Sequence, residues 1–243
     1  MAGFYREDVA YIHDVGHADF ALRSAPGILE ILKENGIPDG MVVDLGCGSG
    51  QWARELVRAG YRVLGIDISE DMIELARQKA PGAEFWVGSL FEAEIPPCDA
   101  VTAVSEVLNY LFDPQNEERG LDHLLGRVHE ALGPGGVFVF DVLGPGQVPP
   151  GTTSRGWSAV KDWAVLNEKE ENTERGTMER RIFSFRKVGD LYRRDGEVHR
   201  VRLYEPEDLA ESLRGAGFEV ETRGSYGSYP LGSNHTAFVA RKP

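Results

Sequence analysis

Cysteine is nearly absent. Cys47 and Cys98 are the only two in 243 residues, which excludes a disulfide-stapled scaffold and fits a reducing compartment. Long apolar runs are missing too: none approaches the roughly 20 residues that span a bilayer. The opening Met1-Ala2-Gly3-Phe4-Tyr5-Arg6 has no apolar signal core, so the expectation is a soluble, cytoplasmic protein with no membrane partner. Basic charge is in short supply, with 26 Lys and Arg against 39 Asp and Glu, a formal net charge of −13. Such a surface repels phosphate backbones, which makes DNA or long RNA a poor default partner. Arginines do gather in the C-terminal half, at Arg180-Arg181, Arg193-Arg194, Arg200 and Arg202. The histidines are scattered without paired-ligand spacing, and no metal site is expected. There is no internal repeat and no low-complexity tract. The length suits one large α/β domain, or one domain with an insertion.

What is present centres on Met41-Val42-Val43-Asp44-Leu45-Gly46-Cys47-Gly48-Ser49-Gly50. An apolar, β-branched strand runs into three glycines at alternate positions, and a helical pattern begins near Gln51. Missing side chains let the backbone turn sharply and let a ligand lie against it. The helix N-terminus beyond offers free N–H groups to a polar or anionic group. The next strand, Tyr61 to Asp67, ends in a carboxylate that can accept two hydrogen bonds from a ribose diol. Dinucleotide enzymes want G-x-G-x-x-G, and here Gln51 stands where the third glycine would fall. The spacing resembles instead the D-x-G-x-G-x-G loop of class I S-adenosylmethionine-dependent methyltransferases. The resemblance is best from Val42 to Val142.

Before the loop, residues 4–37 read as a helical cap. Val9, Ile12 and Val15 space helically, as do Ile28, Leu29, Ile31 and Leu32, with Pro26 at a helix start and Gly36 closing it. Tyr5, Tyr11, His13, His17 and Phe20 either pack this cap onto the core or line a substrate pocket, and Tyr11 is assigned to the acceptor. After the loop come a helix from Trp52 to Gly60, a helix capped by Ser69, and strands at 83–87, 99–104 and 137–142. The leucine stripe Leu121, Leu124, Leu125, Val128 and Leu132 is core packing. Gly133-Pro134-Gly135-Gly136 reads as a sharp turn. Beyond a Gly- and Pro-rich linker, long strands are expected at Ser158–Leu166, Thr177–Lys187 and Leu191–Leu203, with a charged turn at Glu168–Arg175. A helix at 206–214 and strands at 218–222 and 236–241 finish the chain.

The fold expected is therefore α/β: a Rossmann-like seven-stranded methyltransferase sheet, a helical N-terminal cap, and an antiparallel β insertion after strand five. The core is drawn at residues 1–148 and 204–243 with a lid at about 4–37, and the insertion, a substrate cap, at 149–203. The resemblance implies S-adenosylmethionine as cofactor and S-adenosylhomocysteine as product. It places Gly46, Cys47, Gly48 and Gly50 against the methionine half, Asp44 on its amino group and Asp67 on the ribose. Ser89 and Leu90 would border adenine, with Ile68 and Met72 on its ring, and Ser105 would lie near the methionyl part. Glu106, Asn109 and Tyr110 follow strand four, where ligand crevices open; they face the acceptor or form an ordinary polar loop.

Glu197, His199, Val201 and Leu203 alternate onto one strand face. The Glu197/His199 pair could be an acid–base couple, or a structural polar pair. The Asn/Asp-Pro-Pro-Tyr motif of DNA and protein amide methyltransferases is missing, and Pro97-Cys98 lies at the wrong end of strand four for a cytosine C5 nucleophile. The layout resembles small-molecule methyltransferases such as those that N-methylate amino sugars or glycine. The expected reaction is in-line methyl transfer to N or O of a small-molecule acceptor, driven by positioning and water exclusion. Competing readings are a tRNA or other nucleic-acid methyltransferase and a non-catalytic cofactor-binding regulatory module. Oligomeric state stays open, a homodimer included.

Overall fold

The computed structural model describes residues 4–16, 19–113, 115–116 and 120–243. Two helices, α1 (Glu7–Gly16) and α2 (Asp19–Glu34), precede the first strand, β1 (Met41–Leu45). Then α3 (Gln51–Arg58), β2 (Arg62–Asp67), α4 (Glu70–Lys79), β3 (Glu84–Val87) and β4 (Cys98–Ala103) follow in α/β alternation. A 3₁₀ turn, Val107–Asn109, leads to α5 (Gly120–Ala131) and β5 (Leu132–Leu143). The next four strands are β6 (Ser154–Ala159), β7 (Trp163–Asn172), β8 (Thr177–Val188) and β9 (Leu191–Arg202). The chain ends through α6 (Pro206–Gly215), β10 (Glu219–Arg223), a small hairpin of β11 (Ser225–Tyr226) and β12 (Tyr229–Pro230), and β13 (His235–Arg241).

The main sheet has seven strands in the order β10-β13-β5-β4-β1-β2-β3. The five from β3 to β5 pair in parallel, and β13 and β10 close the edge antiparallel. Central parallel strands are covered on both faces, which is why Val42, Val43 and Leu45 are all fully buried. One face packs Ile28 and Leu32 of α2 with Trp52 and Leu56 of α3. The other packs Leu124, Leu125 and Val128 of α5 with Leu209 and Leu213 of α6 against Phe138 and Phe140. The mixed α/β class, the seven-stranded sheet and the helical N-terminal region are as expected from sequence.

Four local expectations change. Pro26 lies inside α2, where its missing N–H costs a helical bond. The apolar stripe Ala25, Ile28, Ile31 and Leu32 is buried through it and offsets that loss. The Gly133–Gly136 segment belongs to β5, because pairing with β4 begins at Cys98–Leu132 and resumes, with a shifted register, at Ala100–Val137. The first expected insertion strand is two strands, β6 and β7, joined by a tight turn in which Val160 N–H donates to the Trp163 carbonyl at 2.9 Å. The turn expected at Glu168–Arg175 is shorter: β7 continues to Asn172, paired with β8 up to Asn172–Thr177, and only residues 173–176 turn.

β6 to β9 form a separate antiparallel sheet in sequence order. It is tied to the core just past β4, where Tyr110 bridges Val201 and Leu111 N–H donates to the Arg200 carbonyl at 2.8 Å. No helix among the described residues is long and apolar enough to cross a membrane.

Candidate functional site

Three alternate left-handed residues make the turn after β1, with φ of 65° at Gly46, 53° at Gly48 and 76° at Gly50. Their reasons differ. A Cβ on Gly46 would lie 2.2 Å from a Val107 methyl, and one on Gly50 would press on Ala76 at 3.0 Å. A Cβ on Gly48 would meet nothing within 4 Å, so that glycine keeps an open cradle clear. Asp67 ties the turn down: its carboxylate accepts Gly48 N–H at 2.8 Å and Ser69 N–H at 2.9 Å. Below it, Trp52 Nε1–H donates to Thr102 Oγ1 at 3.1 Å, and that hydroxyl donates to Asp44 Oδ1 at 2.8 Å. Burial pushes the Asp44 carboxyl up to about 7, with the Asp67 charge adding to the effect. Burial raises Asp67 as well, and raises the Cys47 thiol far enough to keep it protonated.

The loop after β4 is strained on purpose. Ser105 and Glu106 both hold positive φ, 74° and 56°, which non-glycine residues rarely adopt. Asp141, fully buried on β5, holds them there by accepting both backbone N–H groups at 2.8 Å. The same carboxylate accepts the Tyr226 hydroxyl at 2.9 Å and bonds His235 Nε2 at 2.6 Å. Nothing in the sequence reading named Asp141. Its one signal was an acid in the apolar run Val137–Val142.

These elements enclose a cavity of about 460 Å³. Of the expected cofactor residues, Asp44, Gly46, Cys47, Gly48, Asp67, Ile68, Met72, Leu90 and Ser105 line it; of the expected acceptor residues, Glu106 and Tyr110 do. Gly50 sits behind the loop as the N-cap of α3. Ser89 also stands behind the wall, donating to Asp113 Oδ2 at 2.6 Å, and Asp113, missed from sequence, lines the cavity in its place.

Four expected substrate or catalytic residues are placed elsewhere. The Tyr11 ring lies under the Arg186 guanidinium, 3.9 Å away, and Tyr5 of the same segment lines the cavity instead. The Asn109 amide is consumed by backbone, donating to the carbonyls of Leu143 (2.9 Å) and Arg202 (2.6 Å) and accepting Leu143 N–H. Glu197 and His199 do alternate onto one buried face and bond each other at 2.7 Å, but neither lines the cavity. The Glu197 carboxylate accepts the N–H groups of Tyr5 and Arg6, both at 2.9 Å, so the pair fastens the N-terminal segment. His17 lies outside the described residues.

The rest of the wall is built from that N-terminal segment, the post-β4 loop and the inner face of β7 and β8. Tyr5 and Tyr110 share a hydroxyl–hydroxyl bond of 2.7 Å. Arg180 grips Glu106 through both terminal nitrogens, at 2.6 and 2.7 Å. Burial, with Glu106 nearby, pushes the Tyr110 phenol up to about 12, and burial raises Tyr5 too, so both stay neutral across the physiological range. His13, Phe112, Asn167, Lys169, Arg180 and Ile182 complete this part; none was assigned to the pocket from sequence alone except His13, among the cap candidates.

Comparison with known proteins decides what this arrangement is. Residues 42–136 match a family model described as a methyltransferase domain. The solved S-adenosylmethionine-dependent methyltransferase from Clostridium acetobutylicum ATCC 824 superposes with a TM-score of 0.81, covering 98% of each chain at 20% identity. Residues 42–136 are a methyltransferase domain, and the whole chain has the fold of that S-adenosylmethionine-dependent methyltransferase. A relative from Geobacillus sp. (strain WCH70) that bears a methyltransferase name is 28% identical over 194 residues, 74% of each chain. The dTDP-3-amino-3,6-dideoxy-alpha-D-glucopyranose N,N-dimethyltransferase of Streptomyces fradiae is 25% identical over 231 residues, 89% of this chain and 86% of its own. The cofactor of this methyltransferase is S-adenosylmethionine. The open face at Gly48 and the two carboxylates in the cavity wall fit that molecule's cationic and hydroxyl-bearing parts.

Proposed function

We propose that the methyltransferase moves a methyl group from S-adenosylmethionine to a heteroatom of a small-molecule acceptor held in the same cavity, and that nitrogen is the favoured acceptor atom. The two-part construction of the cavity carries this reading. Its volume of about 460 Å³ lies within the ~300–1,000 Å³ of ordinary cofactor and ligand sites. The glycine loop, Asp44 and Asp67 line one part of it, and Tyr5, Tyr110, Glu106 and the β7–β8 face line the rest. The sugar N,N-dimethyltransferase among the relatives supports an amine acceptor.

When bound, S-adenosylmethionine supplies an electrophilic methyl on a sulfonium. The chain's own residues do the positioning. Asp67 takes the ribose hydroxyls, Asp44 the amino group, and Ile68, Met72 and Leu90 the adenine faces. The aromatic wall of Tyr5, Tyr110 and Phe112 excludes water and orients the acceptor, which is where most of the acceleration arises. Its phenols are held neutral and the Glu106 carboxylate is held by Arg180, so neither tyrosine nor Glu106 is free to act as a general base. An amine needs none once it arrives neutral, whereas a hydroxyl does.

Methyl transfer from labelled S-adenosylmethionine across a panel of amino sugars, sugar nucleotides bearing amines, amino acids, hydroxylated metabolites and tRNA tests the reading. Transfer to a small amine is the expected result. Transfer to tRNA alone contradicts it.

A further inference from the structure

We propose that Lys169 and Arg180 form an anion subsite that seats a carboxylate or phosphate group of the methyl acceptor. The inference rests on reading the β7–β8 part of the cavity as the acceptor's.

Lys169 on β7 and Arg180 on β8 are direct cross-strand partners on the inner face, and both line the cavity. Like charges directly opposite one another destabilise a sheet. Elsewhere in the same sheet such pairs are bridged by a counter-charge: Arg186 opposite Arg193 shares Asp8, and Glu170 opposite Glu179, on the outer face, shares Arg181. On that outer face Arg155, Glu168 and Arg181 follow one another across β6, β7 and β8, alternating in sign, with Arg155 bonded to Glu168 at 2.7 Å. The inward pair differs in that its carboxylate, Glu106, is bonded to Arg180 and not to Lys169.

The compensation available is incomplete. Glu106 takes both terminal nitrogens of Arg180. Arg180 Nε is buried without a hydrogen-bond partner. Among the described residues Lys169 makes no side-chain hydrogen bond or ion pair. Of the carboxylates that line this mostly apolar cavity, Asp44, Asp67, Glu106 and Asp113, it is Glu106 that acts on both cations. Burial and Arg180 both lower the Lys169 ammonium, so its charge is held at a cost until an anion arrives. His199, next across from Arg180 on β9, has its own carboxylate in Glu197 and adds no demand on Glu106.

Acetate, inorganic phosphate and acetamide are titrated into wild type, K169M and K169R, each saturated with S-adenosylhomocysteine and followed by ligand-observed NMR. The expected result is saturable millimolar binding of acetate or phosphate by wild type. Binding weakens at least fivefold in K169M and returns in K169R, and acetamide does not bind. The stronger of the two anions names the acceptor's group. K169M should also melt no lower than wild type, because it removes a like-charge pair. Equal anion binding by K169M, or none by wild type, overturns the proposal. So does a K169M loss of affinity for S-adenosylhomocysteine but not for 5′-methylthioadenosine, which would assign the pair to the cofactor's own carboxylate. Failure of wild type to bind S-adenosylhomocysteine at all would instead overturn the cofactor reading.

Discussion

The Asp141 carboxylate accepts the backbone N–H of Glu106 at 2.8 Å and so fixes a residue held at a φ of 56°. Ser105 N–H, the Tyr226 hydroxyl and His235 share the same carboxylate. Asp141→Ala strands these buried donors together. It should lower stability by about 2–4 kcal/mol. For a chain of this size that is a fall in thermal midpoint of roughly 5–15 °C. Thermal denaturation checks this, and a fall of under ~1 kcal/mol would mean that the loop holds its shape without Asp141.

Two glycines separate cradle from packing. At Gly48 an alanine costs only the left-handed backbone, about 1–2 kcal/mol, since nothing lies within 4 Å of its Cβ. We expect Gly48→Ala to fold, and to lose at least tenfold in affinity for S-adenosylhomocysteine. At Gly27 a Cβ would stand 2.2 Å from the Tyr226 carbonyl carbon, backbone against backbone. Gly27→Ala should destabilise the fold more than Gly48→Ala does, while molecules that remain folded keep their cofactor affinity. Denaturation and calorimetry on both variants measure the contrast.

Asp44 sets a pH dependence. Its carboxyl is raised to about 7 in the fold by burial, against about 3.9 in an unfolded chain. The folded state therefore binds the proton more tightly, so this group's contribution to stability is present below pH ~4 and is lost as pH rises to about 7. Asp44→Asn should flatten that slope in chemical denaturation between pH 5 and 8. A cationic cofactor prefers the carboxylate, so affinity for S-adenosylmethionine should fall as pH drops below about 7 in wild type and vary less in the variant.

Much of this was legible because backbone chemistry writes itself into sequence. Alternate glycines after an apolar strand, and an acid ending the next, mark the cradle, since few other residues could make that turn. Parallel strands read well because both their faces are apolar. What the sequence hides is which buried face meets a cavity and which meets another segment. Glu197 and His199 alternate inward as expected, yet the N-terminal segment covers them, and only the tertiary fold decides that. Lys169 and Arg180 share their alternation with ordinary exposed charges on the same strands. Their meaning comes from the register that sets them opposite each other. Asn109 is polar in the expected loop, but its amide completes the backbone of β5 and β9 at a junction that no local pattern announces.

Asp67 carries the central claim, because it both closes the glycine loop and lines the cavity. Calorimetric titration of S-adenosylhomocysteine into wild type and Asp67→Ala tests it most directly. The account predicts micromolar binding by wild type and a loss of one or more factors of ten in the variant. Binding unchanged in Asp67→Ala, or absent in folded wild type, would contradict it.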